Sequence, residues 1–99
     1  MLIQQKKVEI IIEVIKTPKI TRIIDELGLA GYSVIHGVEG RGSNGTCDAQ
    51  EVTDVLTNDC VMVICSEDEA RQLVHDVQPI LKKFGGICFI SDAQLLQLS

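Results

Sequence analysis

The chain has no tryptophan, one tyrosine and two phenylalanines in 99 residues, so aromatic packing cannot build its interior. Ile, Val and Leu must do so. At 45% hydrophobic residues, a domain of this length can bury a core without disulfide or metal staples. Lys and Arg are scarce, nine against fourteen Asp and Glu, for a formal net charge of −5. A general nucleic-acid binder needs the opposite balance to neutralise phosphates, so no nucleic-acid partner is expected. No run approaches the roughly 20 apolar residues of a membrane span, and Met1-Leu2-Ile3-Gln4-Gln5-Lys6-Lys7 has no apolar stretch before a small-residue cleavage site. A cytoplasmic protein is expected, reaching a membrane only through a partner. Cys47, Cys60, Cys65 and Cys88 form no Cys-x-x-Cys pair and no closely spaced Cys/His set, so no metal site is expected. Three of them sit in apolar runs, where a free thiol acts as a small hydrophobe. Cys47, in a polar stretch, is either a bystander or a redox-responsive thiol.

What the chain has in quantity is β-branched aliphatic sequence, which suits pleated strands. Residues 8–15, Val-Glu-Ile-Ile-Ile-Glu-Val-Ile, are nearly continuous in apolar character and predict a strand buried on both faces. Thr17 reads as an N-cap and Pro18 as the first helical residue, where its missing N–H costs nothing. Ile20, Ile23, Ile24 and Leu27 share one helical face, and Gly28 reads as the C-cap. A second strand follows from Tyr32 to Val38, with Tyr32, Val34 and His36 on one side. A third covers residues 58–65. Ser66-x-x-Glu69 predicts a capping box for a second helix with Ala70, Leu73, Val74, Val77 and Leu81 inward, its last turn loosened by Pro79. Gly85-Gly86 break the chain before a short fourth strand, residues 87–90, and a tail over residues 92–99.

The order βαββαβ predicts a single α+β domain over residues 1–99, a ferredoxin-like sandwich with a four-stranded antiparallel sheet and two helices on one face. Two helices cover one sheet face, while strands one, three and four read as apolar on both. An exposed patch of that size predicts a homo-oligomer built on the helix-free face.

Residues 39–57 lose all periodicity and far exceed the two to about five residues of an ordinary hairpin loop. Gly40 and Gly42 let the backbone approach a ligand, Arg41 offers a charged fork for phosphate or carboxylate, and Ser43 with Asn44 can hydrogen-bond an anion. The same composition also suits a solvated hairpin tip. Asp48, Glu51 and Asp54 further along suit solvation, a cation or a basic partner. His36, alone on an apolar strand, reads as a hydrogen-bonded structural residue before it reads as a pH sensor. His75 beside Asp76 reads as solvated. Lys82 and Lys83 complement the dipole at the end of helix two, and their position beside Gly85-Gly86 also offers a reach to bound phosphate.

In strand order, helix lengths and loop positions, residues 8–96 resemble the PII-like signalling proteins. The strings that carry the resemblance are Leu29-Ala30-Gly31-Tyr32-Ser33-Val34 and Gly40-Arg41-Gly42-Ser43, the second similar to the start of that family's T-loop. Both look nearest to the SbtB-like and carboxysome-associated PII branch. The resemblance implies a homotrimer with an adenine nucleotide in each of three clefts between subunits, and a T-loop that reports occupancy to a transporter, an enzyme or a carboxysome component. By position it implies Gly31, Tyr32 and Ser33 near the base, Arg41, Gly42 and Ser43 near the phosphates, and Ile64, Gly85 and Gly86 on the neighbouring subunit's wall. The short Phe84-Gly85-Gly86 turn, and Gln94 and Gln97 where basic residues stand in relatives, make ADP, AMP or a cyclic nucleotide the expected effector in place of ATP with 2-oxoglutarate. Bicarbonate is a candidate second effector. The tyrosine of the uridylylated T-loop is missing, and redox control through a cysteine-bearing C-terminal extension is not expected. The chain is thus expected to be a regulator in inorganic-carbon metabolism and not an enzyme. A small hydrolase similar to acylphosphatases would need an anion cradle after strand one, where Lys16-Thr17-Pro18-Lys19 has neither arginine nor glycine. The alternative is a trimeric metal-responsive or structural protein similar to CutA.

Overall fold

Side-chain alternation along the first strand decides the layering. In the computed structural model, which describes residues 1–39 and 57–98, β1 spans Leu2–Glu13 and turns Val8, Ile10 and Ile12 to one side, where all three are buried. A one-turn 3₁₀ segment, Val14–Lys16, leads into α1, Thr17–Glu26. Then come β2, Ser33–Val38; β3, Asn58–Cys65; α2, Glu67–Phe84; and β4, Ile87–Leu96. The sheet order is β2-β3-β1-β4 with every pairing antiparallel. Ile20 and Ile24 of α1 and Ala70, Leu73 and Val77 of α2 close one core with Val8, Ile10, Ile12, Val61, Val63 and Cys65. This is the expected ferredoxin-like sandwich with both helices on one face.

Each helix end has a local cause. Ser66 and Glu69 form the expected capping box, side chain to backbone in both directions, at 3.2 and 2.9 Å. At the end of α1, Gly28 adopts φ +70°; its N–H donates to Asp25 O and the Leu29 N–H to Ile24 O, the paired bonds of a Schellman motif. Thr17 departs from its expected role. Lys16 is the N-cap of α1, and no side chain caps it, because the Thr17 hydroxyl is turned inward to the buried carboxylate of Asp59. Pro79 lies inside α2, which continues to Phe84.

β1 and β4 are longer at one end than their sequence predicts. β1 starts at Leu2, and Val14 and Ile15 belong to the 3₁₀ turn. β4 runs on through the expected tail to Leu96, pairing with β1 from Ile11↔Ile87 to Leu2↔Leu96. Gln4, Gln5 and Gln94 give this stretch no alternation, so only the pairing reveals it as strand. β3 reaches β1 only as far as Lys6↔Cys65, which leaves residues 2–5 and 93–96 as a two-stranded ribbon beyond the sheet. Lys6 and Asp92 pair at its base, 2.5 Å apart.

The helix-free face is less apolar than expected. On β1 it carries Lys7, Glu9 and Glu13 around Ile11, with Lys7 and Glu9 paired at 3.6 Å, because the two glutamates of the apolar run fall on the same side. Its apolar part is Met62 and Ile64 on β3 with Ile35, Ile87 and Phe89 on the outer strands, and the last three are 51, 52 and 44% exposed.

Candidate functional site: a cleft at the β2 edge

The Schellman turn delivers the chain to the sheet edge at Ala30, and from there to Ser33 it lines a cleft of about 290 Å³ with Met62 and Ile64 of β3. The register explains the composition. Ser33 stands opposite Met62, so the helix-free side of β3 supplies a thioether and a branched aliphatic chain as a flat apolar bed, and the Tyr32 ring, 43% exposed, stands at its rim. Nothing lies within 4 Å of a Cβ built at Gly31, so that position borders open space. A polarizable apolar floor, an aromatic wall and the Ser33 hydroxyl together suit a planar heteroaromatic group whose edge forms hydrogen bonds.

Four of the residues singled out from the sequence, Gly31, Tyr32, Ser33 and Ile64, thus meet in one cleft. Within one chain, Ile64 lines the same cleft as Tyr32. Gly85 and Gly86 are elsewhere. They precede β4, where Gly86 lies against Ile11 of β1, which pairs with Cys60; by strand rise and strand spacing that is on the order of 15 Å from the cleft. Both glycines are required by the backbone: φ is +85° at Gly85 and +121° at Gly86, and a Cβ on Gly86 would lie 2.7 Å from Ile11 O. Arg41, Gly42 and Ser43 fall outside the described residues, as does Cys47.

A second polar cluster was not foreseen. Asp59, 1% exposed, accepts the Thr17 hydroxyl at Oδ2, 2.7 Å away, and its Oδ1 lies 2.9 Å from His36 Nδ1. His36 is therefore hydrogen-bonded, in line with its structural reading. The β2–β3 register shifts between Ile35↔Cys60 and Val38↔Asn58. His36 and Gly37, the latter at φ +73°, together oppose Asp59, a β-bulge. The sequence signal was the charged residue opening an apolar strand, which asks for partners once buried.

Cys60, Cys65 and Cys88 are free thiols, and burial raises the pKa of each above 9.0, which leaves them protonated and unreactive at neutral pH. Among the described residues no three His, Cys, Asp or Glu side chains converge as for a metal, and no helix is long and apolar enough to cross a membrane.

With this geometry in place, comparison with known proteins is informative. The chain is similar to CPII, a nitrogen regulatory PII-like protein from Thiomonas intermedia K12. One structure of it, bound to ADP, AMP and bicarbonate, matches with a TM-score of 0.82 at 24% identity over 100% of both chains. Another, with the same ligands, has a TM-score of 0.79 at 25% identity over 96% of this chain and 98% of that one. A PII-like signalling protein from Thermus thermophilus superposes with a TM-score of 0.75 at 20% identity, over 96% and 91% of the two chains. No curated protein matches the sequence. The family model described as nitrogen regulatory protein P-II matches residues 5–98, and the chain belongs to that family.

Proposed function

We propose that the protein is a homotrimeric regulator that senses an adenine nucleotide, ADP or AMP, in clefts between subunits, and signals through the loop that follows β2. The observation that carries this reading is the convergence of Gly31, Tyr32, Ser33 and Ile64 on one small open cleft with an apolar bed and an aromatic rim. The ADP and AMP bound by CPII support adenine as the base it takes, and the bicarbonate in the same structures supports bicarbonate as second effector and a role in inorganic-carbon regulation. Exposed Ile35, Ile87 and Phe89 on the helix-free face support self-association there. The loop's partner is then a transporter, an enzyme or a carboxysome component. Its function is regulatory, with no catalytic step. The metal-responsive alternative draws no support from the described residues.

Calorimetric titration with AMP and ADP tests the reading. Saturable binding is expected, and Tyr32→Ala should weaken it about tenfold, in keeping with ~1–3 kcal/mol for stacking a base on an aromatic ring. Absence of binding to both nucleotides would overturn it.

A further inference from the structure

On the helix-free face one ion pair stands where a contact between copies would bury it. Lys7 and Glu9 alternate with core residues along β1, an interior strand of the sheet, and pair at 3.6 Å with side chains 36 and 23% exposed. The register gives them apolar neighbours. Lys7 lies opposite Ile64 of β3, and Glu9 lies between Met62 of β3 and Phe89 of β4. Ile11, next on the same side, lies between Cys60 and Ile87. The second carboxylate oxygen of Glu9 is 4.0 Å from the Cys60 thiol, a weak donor.

Within one chain a pair this exposed adds little to stability. Covered by a second copy it becomes costly, because both charges lose water and their remaining lone pairs and N–H groups need partners in the surface laid against them. Apolar area alone is non-directional and accepts many registers. The pair accepts only those that bring polar atoms to it. Each chain offers both signs side by side, so the face is complementary to a copy of itself, the ammonium of one chain meeting the carboxylate of the next.

We propose that the Lys7–Glu9 pair, buried in the contact between two copies of the chain, sets the register of that contact and so the number of copies that close. The inference rests on the self-association proposed above and names the residues that make it specific.

The test follows assembly by native mass spectrometry and sedimentation over a dilution series, for the intact protein, Lys7→Met, Glu9→Leu and the double variant. Circular dichroism on the same samples should show every variant folded, as expected of a pair worth little within one chain. Each single variant leaves one charge uncompensated in the contact and should assemble about a hundredfold more weakly, or worse. The double variant, apolar throughout, should recover the affinity and lose the single stoichiometry, giving particles of two, three and more chains. Single variants that assemble as tightly as wild type, a double variant as weak as the singles, or a double variant that forms particles of one size each overturn the inference. A wild-type protein that stays monomeric refutes the self-association reading instead.

Discussion

Asp59 holds together three parts of the chain that are distant in sequence: the end of β2 through His36, the start of β3, and the start of α1 through Thr17. A buried carboxylate is costly unless its oxygens are bonded, and here each has a partner. Thr17→Ala removes one donor and leaves Oδ2 unsatisfied, so the variant should lose about 1–3 kcal/mol in urea denaturation, while Thr17→Ser, which keeps the hydroxyl, should lose much less. The residue types were visible in the sequence but their partners were not. Thr17 before Pro18 matches a helix cap, and only the fold reveals that its hydroxyl has a buried acid to serve. Gly86 is similar: a glycine pair before a strand reads as a break, yet what disfavours any side chain there is that a Cβ would lie 2.7 Å from Ile11 O, at a φ of +121°.

At the scale of elements, the helices and β3 were legible because their signals are local. A capping box, a glycine in the left-handed region and a stripe at helical spacing act within a few residues. The distal half of β4 and the first residues of β1 were not legible, because each is strand only by virtue of the other. A two-stranded ribbon is marginal in water, and the charge pair Lys6–Asp92 stands at its base. Hydrogen bonding to Asp92, then its charge, raises the Lys6 pKa above 10.5. A base whose pKa is higher folded than unfolded contributes its full stabilisation below the unfolded value and loses it as pH rises through the folded one. On the lysine side the pair should therefore hold through neutral pH and fail in alkali beyond 10.5. The Lys6 Cε resonance followed by NMR should titrate above that value in wild type and return toward it in Asp92→Asn.

For the whole molecule, the placement of charge and apolar surface matters more than any one element. Exposed Ile35, Ile87 and Phe89 on the helix-free face and a ribbon projecting past the sheet are the surfaces that support the proposed self-association. Gly31, Tyr32 and Ser33 could be singled out from sequence because they are consecutive. That Ile64 joins them, while Gly85 and Gly86 do not, depends on register and strand order, which no single segment encodes. Native mass spectrometry of the protein with ADP reads assembly and occupancy together. The account predicts a particle of three chains carrying up to three nucleotides; a monomer, or a trimer that takes up none, would contradict it.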